Sequence, residues 1–210
     1  MRTRNAVAMA WITAMLGSMP WAAGKPGNQK VVACIVETGD TLVLATAKMT
    51  ASRLFLSAGI QLEWHADGPS CRARADQVIP VSLSTNTPED LLPGAMAFNR
   101  PYEGAQVRVF YDRITNGPHF PQLQPYLLAH VLVHEITHVL QGVDRHSKSG
   151  IMTAHWDSSE YALMVRAQLR FAGEDVELIH KGLTSPALGT ASGTVVAASG
   201  LAAAQPVAGR

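Results

Sequence analysis

Cysteine and charge are both scarce in this 210-residue chain: there are two cysteines, and charged residues make up 16%. Two cysteines cannot staple a disulfide-dense miniprotein or build a four-cysteine zinc ribbon. The charged fraction lies below the ~25% usual for soluble domains. Neither sign dominates, with 17 Lys and Arg against 16 Asp and Glu and a net charge of +1. Without a basic excess there is no electrostatic footprint for nucleic acid or for an anionic membrane surface. No apolar run approaches the ~20 residues needed to span a bilayer, so stable membrane insertion is not expected. No internal repeat is visible. Hydrophobic residues are plentiful at 47%, with a mean hydropathy of +0.08. Such a chain can bury a proper core, which excludes wholesale disorder and points to one domain with tails.

Both ends differ from the middle. Arg2 and Arg4 precede the apolar stretch Ala6–Leu16, and Ala22, Ala23 and Gly24 follow it. A positive start, a short apolar segment and small residues form an export signal, which assigns residues 1–23 to a signal peptide. The folded domain is then expected over 24–184, in a secreted or periplasmic protein. Residues 185–210 are Ala, Gly, Ser, Thr, Val and Pro in the main and have no structural period, so a disordered tail is expected. In an oxidising compartment Cys34 and Cys71 are expected to pair. By the chain-entropy estimate, such a bridge contributes about 3–4 kcal/mol.

Between the ends, strand and helix signals alternate. Val31–Glu37 is an apolar run closed by Thr38, Gly39 and Asp40, a strand and its turn. Leu44, Ala47, Ala51, Leu54, Phe55 and Ala58 recur at helical spacing, which predicts a helix over 41–58 with Gly59 beyond its end. Ile60–His65 alternates like a half-buried strand. Strand, helix, strand at this spacing predicts a parallel pair with a right-handed crossover. Further strands are predicted over Val78–Leu83, Gly94–Asn99 and Gln106–Ile114. A helix opening at Pro125 and ending at Gly142 is apolar on most faces, from Leu127 to Leu140, which places it inside the domain. A last helix is predicted over Ser158–Ala172, with Asp157 and Glu160 as a capping box and Gly173 as its stop.

The buried helix carries His134-Glu135-Ile136-Thr137-His138, the pattern HExxH. Histidines at i and i+4 share one helix face, about 6 Å apart along the axis. Both imidazoles can reach one zinc ion at ~2.0–2.1 Å. Glu135 is turned by ~100° from His134 and can act as general base on water that the metal acidifies. Three ionisable groups inside an apolar helix are costly unless they serve a purpose. A catalytic zinc takes three protein ligands and keeps a position open. Gly142 permits a sharp reversal of the chain, after which Asp144 and His146 are both plausible third ligands.

The segment His134–Met152, HEITHVLQGVDRHSKSGIM, resembles the metzincin clan of zinc endopeptidases, which have HExxHxxGxxH and a methionine-containing turn below the metal. The resemblance implies His134, His138 and His146 as metal ligands, Glu135 as general base, Gly142 as the turn and Met152 as the residue of the methionine turn. It also implies an upper strand–helix–strand subdomain and an edge strand that binds extended substrate, for which Gly94–Asn99 is the candidate. Two spacings depart from the clan. The glycine stands four residues after the second histidine rather than three, and His146 stands eight after rather than six. Asp144 occupies the sixth position, as aspartate does in a small secreted branch of the clan, but the longer return favours His146.

The expected architecture is therefore α+β and metzincin-like: a small mixed twisted sheet packed on two helices, one of them the buried active-site helix, with a short helical C-terminal subdomain. The expected activity is zinc-dependent hydrolysis of peptide bonds in a peptide or protein substrate. The alternative is a secreted zinc-binding or interaction domain without turnover. His130, one turn before His134, could support the site but reads better as core. His155 and Trp156 could line a substrate wall or simply pack. His65, His119 and His180 have no visible partners in the sequence.

Overall fold

The computed structural model describes residues 29–185, apart from 37, 75–77, 89, 91–93, 101–105 and 118–119. The expected signal peptide and nearly all of the expected tail lie outside the described residues.

Alternating apolar residues make the first elements. β1 (Gln29–Ile35), helix α1 (Thr41–Ser57) and β2 (Ile60–Ala66) follow the predicted order, and β1 pairs in parallel with β2. The Asp40 carboxylate accepts from the Leu42 and Val43 amides and so caps α1. A short helix α2 (Pro69–Arg72) precedes β3 (Ile79–Ser84), β4 (Ala97–Arg100) and β5 (Gln106–Phe110). The five strands lie in the order β2-β1-β3-β5-β4, all parallel except β4, which runs antiparallel to β5 along the sheet's edge.

One sheet face presents Val31, Ala33, Ile35, Ile60, Leu62, Val81, Leu83, Val107 and Val109 to α1 and to the long helix α4 (Gln124–Gln141), which pack against each other. Burial of this face and of the apolar sides of both helices is the main stabilisation of the fold. On the opposite face, Cys34 and Cys71 form a disulfide and cluster with Val78 and Val32. The expected bridge is thus present, and it fastens the segment after β2 to the back of β1.

Two sequence expectations are corrected. The strand predicted over Gln106–Ile114 stops at Phe110, and helix α3 (Tyr111–Asn116) takes over. Val107, Val109 and Tyr111 alternate, but Tyr111 and Ile114 are also one helical step apart, and both are buried. Helix geometry lets the Tyr111 hydroxyl accept from the Asp40 amide at 3.0 Å. The helix predicted over Ser158–Ala172 stops early, as α5 (Ser158–Val165), and a further helix that was not predicted, α6 (Gly173–Thr184), begins at the expected stop. The chain leaves α5 at Ala167, whose φ is 55°. Its next stretch hands the Arg170 carbonyl to the Ile151 amide at 3.0 Å. Gly173 therefore begins a helix rather than ending one.

Candidate metal centre

Helix α4 is the axis of the site. Every residue from Leu127 to Gln141 is buried, so His134 and His138 are held on a helix with no freedom to tilt. The helix ends at Gly142 with φ at 65°, in the left-handed region where a side chain is strained. That reversal sends Val143–His146 back across the last turn of α4. His134, His138 and His146 each bring a ring nitrogen to one point, all within 4.8 Å of one another. Asp144, the rival third ligand, stands outside this trio. His146 stacks on His134 with ring centroids 5.2 Å apart and lies edge-on to His138 at 5.0 Å. His134 and His138 are buried, while His146 is exposed on the solvent side.

Hydrogen bonds fix how the first two rings present their nitrogens. His134 Nδ1 lies 2.9 Å from the Ile151 carbonyl, and His138 Nδ1 lies 3.2 Å from the Val143 carbonyl. A carbonyl can only accept, so each Nδ1 holds the proton and donates it. Each Nε2 is left with a lone pair, and the two Nε2 atoms stand 3.0 Å apart. Two facing lone pairs at that distance need a proton or a cation between them. A proton is disfavoured: burial, followed by the neighbouring His138, pushes His134 down to about 3. Burial and then His146 lower His138, against the pull of the Val143 carbonyl and Asp144. His146, whose ring is only partly shielded by its neighbours, is lowered chiefly by that desolvation, which outweighs Asp144. Three neutral imidazoles suit a borderline-soft divalent ion. Zinc at ~2.0–2.1 Å in tetrahedral geometry sets its nitrogens about 3.3 Å apart. The donor set therefore fits zinc.

Polar contacts hold the return loop from below. Met152 is fully buried, and its carbonyl accepts from the Ser147 amide at 2.8 Å. Its neighbour Ile151 supplies the carbonyl that orients His134. The turn through Ile151 and Met152 thus meets the histidine cluster through its backbone. Glu135, next to His134 and turned away from it along the helix, is 9% exposed.

The remaining sequence candidates fall outside the trio. His130 is completely buried, with Nδ1 donating to the Tyr126 carbonyl at 2.7 Å, as a core histidine does. Trp156 is buried edge-on to His134 at 5.5 Å, so it packs behind the site rather than lining an open wall. His155 is exposed and close enough to His146 to disfavour its protonation. Glu160 completes the capping box of α5. His180, which had no visible partner in sequence, contacts Gln29 Oε1 and the Ala58 carbonyl, both at 2.8 Å.

The residues that sequence reasoning missed are those that anchor the loop: Arg145, Ser147, Glu174 and Asp175. A signal for the helix that carries the last two was present in Val176, Ile179 and Leu183, at helical spacing behind an acidic first turn.

No family model and no curated protein matches the chain. Among solved structures, the crystal structure of archaemetzincin from Methanopyrus kandleri is similar, with a TM-score of 0.47 and 16% identity over 78% of this chain and 99% of that one.

Proposed function

We propose that this protein is an exported zinc-dependent endopeptidase. One observation carries the reading: two imidazoles from a buried helix and one from the return loop converge with their free nitrogens facing a common point. His134, His138 and His146 would hold the ion. When bound, zinc supplies a Lewis acid that polarises a peptide carbonyl and acidifies water. Glu135 would accept a proton from water as the water oxygen bonds to the peptide carbonyl carbon, and would pass that proton to the amine as the C–N bond breaks. Three protein ligands leave room for both water and substrate. The edge strand β4 would bind the peptide in extended form, since among the described residues no strand pairs with its outer side. The Cys34–Cys71 bridge supports export, because such bridges persist in oxidising compartments. Among the described residues no helix is long and apolar enough to cross a membrane.

Glu135→Gln tests the mechanism. The variant is expected to keep one zinc per chain and to lose about 10²–10⁴-fold in cleavage of a peptide library. Cleavage equal to wild type would overturn the role of Glu135. A wild-type protein that holds zinc and cleaves nothing, with or without chelator, would favour the binding-domain alternative.

A further inference from the structure

His146 poses a problem that His134 and His138 do not. It is solvent-exposed and belongs to neither a helix nor a strand, its neighbour Ser147 making only an isolated bridge to Thr153. An unconstrained loop histidine would lose much of the advantage of a preformed site, because ordering it would draw on the binding free energy of the metal. Yet both of its chain neighbours are tied to one place. Arg145 reaches Glu174 Oε2 at 2.7 Å and Asp175 Oδ1 at 3.1 Å. The Ser147 hydroxyl donates to that same Asp175 Oδ1, and Arg145 also reaches the Ser147 hydroxyl at 3.4 Å. Asp175 has no exposed surface at all. Its own backbone is held in turn, since Gln141 Nε2 donates to the Asp175 carbonyl at 3.2 Å. Gln141 is the last residue of α4, one turn past His138.

The helix that bears Asp175 is fitted closely to α4. A Cβ at Gly182 would overlap the Leu140 carbonyl, so only glycine allows this approach. The result is a closed circuit: α4 carries two of the histidines, α6 docks on α4, and Asp175 of α6 grips the residues on either side of the third.

We infer that Asp175, acting through Arg145 and Ser147, is the positioning residue that preforms the metal site by fixing His146. The inference rests on the zinc reading above and goes beyond it by assigning a role to the C-terminal helix. A carboxylate this deeply buried is retained only with a charge partner, and Arg145 is that partner. Its placement beside a loop ligand, rather than inside the sheet core, puts the cost of burial where geometry matters.

The test compares wild type, Asp175→Asn, Ser147→Ala and His146→Ala in the metal-free, full-length protein. Zinc affinity is read by competition with a chromogenic chelator, well below each variant's melting temperature. The visible absorption of the Co²⁺-loaded proteins reports the ligand set. Hydrogen exchange reports order in residues 143–150. Asp175→Asn is expected to weaken zinc by about 10–100-fold, the usual effect of losing a partner that orients a ligand. Its Co²⁺ spectrum should shift toward that of His146→Ala, and exchange in 143–150 should quicken. Ser147→Ala, which leaves the carboxylate and Arg145 in place, should move each readout the same way by less. A purely structural role would lower the melting temperature and leave zinc affinity and the Co²⁺ spectrum at wild-type values, and that result in both variants overturns the inference. Wild-type protein that takes up no zinc would instead end the metal-centre reading, and this inference with it.

Discussion

In the half of the molecule built around β1, β2, β3, β5 and α1, alternate residues such as Val31, Ala33 and Ile35, Ile60 and Leu62, Val81 and Leu83, and Val107 and Val109 are apolar and buried in the core, and position follows from burial. In the segment from Gly142 to Thr153, apart from Ile151 and Met152, which belong to the core, the described contacts are of another kind: an arginine on two carboxylates, a serine on one of them, and backbone amides on the Met152 and Arg170 carbonyls. The first region draws on many interchangeable contacts and tolerates the loss of one. The second draws on a few directional contacts and tolerates little. Stability should therefore reside in the sheet half, and metal-site geometry in the loop.

The largest effect that could break this division is removal of the disulfide. Cys34→Ala with Cys71→Ala should lower stability by about 3–4 kcal/mol in denaturant titrations. It should leave zinc affinity unchanged, because the bridge lies on the sheet face turned away from α4. A parallel fall in zinc affinity would show that the two regions are coupled. The next effect concerns His130, buried in α4 and pushed down to about 4 by desolvation, with the Tyr126 and Leu169 backbones pulling the other way. In the unfolded chain it titrates near 6.5, so between pH 6.5 and 4 the unfolded state binds a proton that the folded state refuses. The contribution of His130 to stability therefore falls as pH drops through that window, by up to about 3 kcal/mol, and levels off below it. His130→Gln should flatten the stability–pH curve there by about one proton. The smallest is Gly142→Ala. A Cβ there meets no atom within 4 Å, so the cost is only the left-handed backbone, about 1–2 kcal/mol. If position in the loop is as directional as argued, zinc affinity should drop by more than that loss of stability alone would suggest.

The same contrast explains what could be read from the sequence. β1, α1, β2 and α4 were legible because their patterns of burial are local and periodic: Ile60, Leu62 and Trp64 alternate, and Leu44, Ala47 and Ala51 lie one helical step apart. HExxH was legible because two of the three converging histidines share one helix. The longer return after Gly142 favoured His146 over Asp144 in the sequence, but the contacts that hold the loop around His146 come from residues about thirty positions further on. The break after α5 was hidden for a similar reason. Leu163 and Met164 favour a helix, but the chain unwinds so that the Arg170 carbonyl can meet Ile151, a demand made by a distant turn.

His138 lies in the final turn of α4, where a long helix ends, and His134 lies one turn before it. Aligned peptide dipoles leave that end with about half a negative charge. A divalent cation seated beside His138, in the final turn, therefore meets a favourable field even before any ligand is counted.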